Sequence, residues 1–451
     1  MTELACFKAY DLRGRIPDEL NPDIAYSVGR AYAEFLEPRK VVVGHDIRLS
    51  SPEICNAVVE GLLDAGANVY HIGECGTEEI YFATAHFEMD GGIMVTASHN
   101  PKGYNGMKLV REDAKPISGD TGLDEIEQMV IANDFKGSPN RGVMESLDHR
   151  DAYIQCLLGY VDGNQLGELR IVVNAGNGGA GAVIDRLESF LPCEFIKIHH
   201  EADGDFPNGV PNPLLQENRG PTIDAIKENQ ADLGIAWDGD FDRCFFFDAS
   251  GRFIEGYYIV GLLAQAFLEQ DPNCSVVHDP RLTLNTIDIV NAHGGQAIQS
   301  KTGHAFIKER MRSEGSVYGG EMSAHHYFRD FSYCDSGMVP WLLVIGLMKQ
   351  KGKSLAELVD ERMRMYPASG EINKHIDDPA SVIESIETYY AETALEVDHT
   401  DGLSVTFDTW RFNVRMSNTE PVVRLNVESC GDEALMRSKT EELLALMGTE
   451  G

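Results

Sequence analysis

Positive charge is what this chain has least of. Of 451 residues, 38 are Lys or Arg against 72 Asp or Glu, a formal net charge of −34. Such a surface repels the backbone of DNA and RNA, which excludes nucleic acid as a partner. It also repels a phosphorylated small molecule at long range, so a phosphate site here must gather its cations locally, in a cleft. A high-salt habitat would screen that repulsion and is compatible with the excess of acid. Long apolar runs are missing too. None approaches the ~20 residues that span a bilayer, and the opening MTELACFKAYDLRG holds no apolar signal segment. A cytoplasmic location with no membrane partner is expected. The nine cysteines, at 6, 55, 75, 156, 193, 244, 274, 334 and 430, are dispersed and form no CxxC pair. That argues against a disulfide framework and a cysteine-rich zinc site.

What is present is globular. Hydrophobic residues make up 43% of the chain, enough for sizeable cores, and 451 residues exceed what one core organises. KVVVGHD (40–46) reads as a buried strand, 52–67 as an amphipathic helix, NVYHIG (68–73) as a strand, and GGIMVTAS (91–98) as another. This βαβ alternation predicts a mostly parallel sheet covered by helices. A softer stretch, 134–148, reads as a linker or surface excursion. A second α/β segment follows, with strand and glycine-rich turn at 168–181 and strand–acidic loop–strand at 231–251. The third holds a helix at 257–270, a strand at 274–280 and the loop GGEMSAHHYF at 319–328. After about 368, strands stand beside helices without βα alternation, and a terminal helix closes the chain. The expected segments are 1–145, 146–252, 253–366 and 367–451: three related α/β domains of mixed or parallel sheet plus a smaller α+β domain. The three share an outline, with no repeat evident at the level of residues.

Four loops carry chemistry. In DGDFDR (238–243), Asp238, Asp240 and Asp242 alternate, and three carboxylates so close repel one another unless a cation sits among them. Oxygen ligands suit a hard divalent ion, magnesium first where phosphate is the substrate and calcium as the rival. The EF-hand pattern is missing, since the run turns into CFFFD. Arg243 can pair with a carboxylate or reach a phosphate. In TASHNP (96–101), Ser98 follows a strand, where a nearby cation would ease the charge of a phosphoserine. His99 can serve as acid, base or phosphate contact, and Lys108 adds positive charge. In GEMSAHHYF (320–328), Glu321 and Ser323 point the same way if the loop is extended, and suit sugar hydroxyls; His325 or His326 can approach phosphate. In RMSNTEP (415–421), Arg415, Ser417, Asn418 and Thr419 match the oxygens of a phosphate monoester. Arg13, and His304 with Lys301 in KTGHAF, are further candidates. The glycine-rich NAGNGGAG (174–181) lacks the full dinucleotide fingerprint, which argues against NAD.

TASHNPKGYNGMK, DGDFDR, GEMS and RMSNTEP, in this order, resemble the α-D-phosphohexomutase family along essentially the whole chain. Within the family the chain is similar to bacterial members of the GDP-mannose route. The resemblance implies four domains around a central cleft and a phosphoserine at Ser98 completing a Mg²⁺ shell with Asp238, Asp240 and Asp242. His99, Lys108 and Arg243 would surround the transferred phosphoryl group. Glu321 and Ser323 would hold sugar hydroxyls. Arg415, Ser417, Asn418 and Thr419 would clamp the other phosphate, with Arg13, His304 and His325 in the cleft. One departure stands out: Arg281, in HDPRLT, occupies a place where many members carry lysine. The implied reaction interconverts mannose 6-phosphate and mannose 1-phosphate through a hexose 1,6-bisphosphate, with the hexose phosphate as its small-molecule partner. Dual use of mannose and glucose phosphates is the alternative. A metal-dependent sugar phosphatase and a non-catalytic sugar-phosphate-binding protein are the rivals from other classes. Monomer and homodimer are both open.

Overall fold

A computed structural model describes residues 4–416 and 422–448 of the chain. The chain divides into two compact units, one of Met1–Phe253 with His325–Gly352, the other of Ile254–Ala324 with Lys353–Gly451.

The first unit holds two sheets. In one, the strands run in the order Leu12–Arg15, Tyr104–Arg111, Gly91–Val95, Lys40–His45, Asn68–Glu74, Met144–Ser146. The last four are parallel, and Tyr104–Arg111 is antiparallel to its neighbours. Within the stretch 134–148, expected as a linker or surface excursion, Met144–Ser146 forms a strand: Val69 pairs with Met144 and extends the sheet by one short edge. Its three residues are exposed, so no apolar run marked it. Val41, Val42 and Val43 are wholly buried because a central parallel strand is covered on both faces. Each such side chain contributes about 1.5–3 kcal/mol. Helix Pro22–Leu36 starts where the Asn21 side chain accepts from Ile24 N at 3.1 Å and proline sets the first turn. It packs on helix Ser51–Asp64 through two glycines; a Cβ on Gly29 would lie 2.4 Å from Val58 O, and one on Gly61 would lie 2.2 Å from Tyr26 O. The second sheet runs Phe253–Ile254, Cys244–Asp248, Leu233–Trp237, Leu169–Asn174, Cys193–Ile198. A hairpin of His326–Phe328 and Cys334–Asp335 and helix Val339–Lys351 complete this unit.

In the second unit, strands Gln296–Gln299, Ser275–His278 and Tyr318–Gly320 are parallel, interleaved with helices Gly256–Gln270, Leu284–Ala292 and His304–Glu314. An antiparallel sheet runs Ile372–His375, Val422–Ser429, Trp410–Met416, Leu403–Thr406, Glu396–Asp398, backed by helices Pro379–Tyr390 and Glu433–Leu446. Its core includes Phe412, Val414, Leu425 and Val427. The expected class, three α/β segments and a smaller α+β one, is the fold observed.

The three α/β segments repeat one arrangement. Lys40–His45, Leu169–Asn174 and Ser275–His278 each lie between two parallel strands: the next in sequence, and one that follows a further helix. Those later strands, Gly91–Val95, Leu233–Trp237 and Tyr318–Gly320, lead directly into the loops of Ser98, of the three aspartates and of Glu321. Ligand loops at the carboxyl ends of parallel strands are the general rule for such sheets. A residue-level repeat does exist, contrary to expectation: GHDIRLS (44–50) and VHDPRLT (277–283) occupy equivalent strand ends.

Candidate active site

In the first unit, strand Gly91–Val95 delivers Ser98 to a buried loop with φ +45°. Ser98 Oγ donates to Asp238 Oδ2 at 2.7 Å and lies 3.1 Å from His99 Nδ1. Asp238, Asp240 and Asp242 are buried, and carboxylate oxygens from all three lie within 4.8 Å of one another. Arg243 Nε and Nη2 donate to Asp238 Oδ2 at 2.9 and 2.7 Å. Arg243 Nη2 also lies 2.5 Å from His99 Nδ1. A guanidinium only donates, so His99 Nδ1 is the unprotonated nitrogen of a neutral ring. Burial, then the charge of Arg243, holds His99 well below the ordinary histidine range. Lys108 Nζ reaches Asp240 Oδ2 at 3.0 Å and pairs with Asp242 Oδ2. Burial pushes Asp238 up to about 6, against the pull of Arg243. Asp240 is held low despite burial and Asp242, because Lys108 and Arg13 face it. Arg13 is anchored by Asp11 Oδ2 at 2.9 Å and Thr96 O at 3.1 Å. His325 Nε2 stands 3.6 Å from Asp242 Oδ1.

The acidic loop fits a hard divalent cation. Among the described residues, Asp240 Oδ1 and Asp242 Oδ1 are buried and accept no hydrogen bond. Two aimed, unsatisfied carboxylate oxygens beside a third carboxylate are costly without a positive charge between them.

In the second unit, Arg281 is the hub. Its Nη2 donates to Asp279 Oδ2 at 2.6 Å and Ser323 Oγ at 3.3 Å, and lies 3.6 Å from Glu321 Oε1. Its Nη1 lies 3.5 Å from Glu371 Oε2. The loop of Glu321 and Ser323 is a turn rather than extended: Ala324 N donates to Glu321 O at 3.0 Å and Ala324 takes φ +71°. Both side chains nonetheless meet the same guanidinium. Gly303 N donates to Glu321 Oε1 at 3.0 Å, just before buried His304 opens helix His304–Glu314. Arg415 Nη2 lies 3.3 Å from Glu371 Oε2, and Arg424 Nη1 lies 3.8 Å from Glu371 Oε1. Three guanidiniums hold the Glu371 carboxyl low against its burial. Three guanidiniums gathered at one carboxylate present a set of forked donors that suits the oxygens of a phosphate. Ser417, Asn418 and Thr419 lie outside the described residues.

Several participants escaped the sequence reading. Thr77, Arg48, Glu371 and Arg424 sit outside the four loops. The recurrence of HDxRL at 45–49 and 278–282 was the available signal for Arg48; nothing in the sequence marked Glu371.

A buried serine aimed at an aspartate cage, with a separate guanidinium cluster, defines a phosphoryl-transfer enzyme acting on a phosphorylated substrate. The chain belongs to the phosphoglucomutase/phosphomannomutase family and is a phosphohexomutase. It matches that family's alpha/beta/alpha domain I over residues 5–137, domain II over 151–251, domain III over 255–366 and C-terminal domain over 371–445. It is 61% identical to a phosphomannomutase of Salmonella typhimurium, over 99% of this chain and 100% of that one. It is 57% identical to the phosphohexose mutases of Xanthomonas campestris, over 98% and 99%. Among solved structures, a phosphoglucomutase/phosphomannomutase family protein from Burkholderia thailandensis superposes with a TM-score of 0.89 at 31% identity, covering 99% of this chain and 98% of that one.

Proposed function

We propose that the chain interconverts mannose 6-phosphate and mannose 1-phosphate, with Ser98 as the phosphoryl carrier. The observation that carries this is Ser98 Oγ at 2.7 Å from Asp238 in a buried three-aspartate cage. Asp238, Asp240, Asp242 and the Ser98 oxygen would hold Mg²⁺, which when bound offsets the negative charge of the phosphoryl group. In the first half-reaction the bond from phosphorus to Ser98 Oγ breaks and a bond to a free sugar hydroxyl forms. The proton of that hydroxyl ends on Ser98 Oγ, where Asp238 Oδ2 accepts it in a hydrogen bond. Arg243, Lys108 and Arg13 supply positive charge around the transfer. His99, as a neutral ring accepting from Arg243, orients that guanidinium. The product is a hexose 1,6-bisphosphate, which turns over and returns its other phosphate to Ser98. Glu321 and Ser323 hold sugar hydroxyls, with His304 and His325 as further contacts. Arg281, Arg415 and Arg424, with Ser417, Asn418 and Thr419, hold the phosphate that is not transferred.

This reading places one functional loop in each of the segments 1–145, 146–252, 253–366 and 367–451. It includes a cytoplasmic enzyme supplying mannose 1-phosphate for GDP-mannose. Use of glucose phosphates as well is the second reading, favoured by the Xanthomonas relatives being named for hexoses rather than mannose. A coupled assay comparing kcat/KM for mannose 1-phosphate and glucose 1-phosphate separates the two. Ser98→Ala should abolish turnover of both sugars, and full turnover in that variant would overturn the phosphoserine mechanism.

A further inference from the structure

GHDIRLS and VHDPRLT are wired alike. His45 Nδ1 lies 2.8 Å from Asp46 O, and His278 Nδ1 lies 2.8 Å from Asp279 O. Arg48 N donates to Asp46 Oδ1 at 3.0 Å, and Arg281 N donates to Asp279 Oδ1 at 2.9 Å. In each copy the second aspartate oxygen reaches the functional loop of its own sheet. Asp46 Oδ2 accepts from Thr96 Oγ1 at 2.8 Å, and Asp279 Oδ2 accepts from Met322 N at 2.8 Å.

The two arginines then diverge. Arg281 spends its guanidinium on side chains. Arg48, only 2% exposed, spends its own on the main chain of the Ser98 loop. Nη2 donates to Ser98 O at 2.9 Å and Asn100 O at 2.6 Å. Nη1 donates to Pro101 O at 2.9 Å and Tyr104 O at 3.1 Å. The four carbonyls that meet this one cation flank Ser98, which takes a left-handed φ that disfavours side chains. The acidic loop presses on the same carbonyl: a Cβ on Gly239 would lie 2.7 Å from Ser98 O.

We propose that Arg48 is a positioning residue for phosphoryl transfer, fixing the Ser98 loop through its four carbonyls so that Oγ points at Asp238. The proposal rests on the reading of Ser98 as phosphoryl carrier. Its chemistry is particular to arginine. A planar fork of five N–H groups spans carbonyls on both sides, whereas the three donors of an ammonium radiate from one point.

The test uses the full-length protein charged with glucose 1,6-bisphosphate, with phosphate on Ser98 quantified by mass spectrometry. In Arg48→Lys, kcat should fall roughly 10- to 100-fold while KM for mannose 1-phosphate stays within about two-fold. The ³¹P resonance of phospho-Ser98 should shift or broaden, and its phosphate should be lost to water faster. Wild-type kcat with an unmoved resonance would overturn the proposal, as would a raised KM at unchanged kcat. Should Arg48→Lys not fold, Asp46→Asn, which removes the carboxylate charge 3.4 Å from Arg48 Nε, must show the same split between kcat and KM, and its absence there counts against the proposal. Failure of the underlying reading looks different: the wild-type protein itself would carry no phosphate on Ser98.

Discussion

Thr77 Oγ1 donates to Asp240 Oδ2 at 2.5 Å, and Thr77 N donates to Asp240 O at 3.1 Å. The first residue of helix Thr77–His86 thereby holds one carboxylate oxygen of Asp240 and leaves Oδ1 aimed into the cage. Hydrogen bonds behind a ligand set its orientation and its affinity for metal. Thr77→Val keeps the shape and removes the hydroxyl. It should weaken magnesium binding roughly 10-fold, read as the Mg²⁺ concentration giving half the full rise in melting temperature. An unchanged midpoint would show that Lys108 alone orients Asp240.

The next residue, Glu78, joins three parts of the first unit. Its Oε1 accepts from Tyr153 Oη at 2.5 Å and Ser336 Oγ at 2.9 Å, and its Oε2 from Gly337 N at 2.6 Å and Met338 N at 3.2 Å. Burial outweighs these four donors and pushes the carboxyl from 4.5 up to about 8. A folded-state value above the unfolded one means the folded protein binds the extra proton. The associated stability is complete below about pH 4.5 and is lost as pH rises through 8, at up to about 1.4 kcal/mol per unit. Glu78→Gln carries no titrating proton. Its melting temperature relative to wild type should therefore climb between pH 5 and pH 8; parallel curves would mean that Glu78 stays ionised in the fold.

Arg281 bridges Asp279, Ser323, Glu321 and Glu371, and a lysine there could serve only part of that set. Arg281→Lys should raise KM for mannose 1-phosphate roughly 10-fold, since a point charge replaces a planar fork. Steady-state kinetics decide the matter. An unchanged KM would remove Arg281 from the substrate contacts.

Much of the fold was legible because strands buried on both faces are written as unbroken apolar runs: VVV at 41–43 and IVV at 171–173 in parallel strands, CFFF at 244–247 in an antiparallel one. Strand Met144–Ser146 was not, since an exposed edge needs only backbone partners and leaves no apolar signature. The turn at Glu321–Ala324 left no signature either, because side-chain alternation cannot report a left-handed φ at alanine.

The sequence by itself determined the acid cluster, the loop serine, the order of the four motifs and the family they belong to, because these are local runs of residues whose chemistry is set by their neighbours in the chain. Only the tertiary structure decided which groups act on them. Asp238 meets Ser98 across 140 positions of sequence, Thr77 meets Asp240 across 163, and Arg48 grips the Ser98 carbonyl across 50. Such contacts follow from strand order within a sheet and from the docking of helix Thr77–His86, which bring distant residues within hydrogen-bond range without leaving any spacing to read.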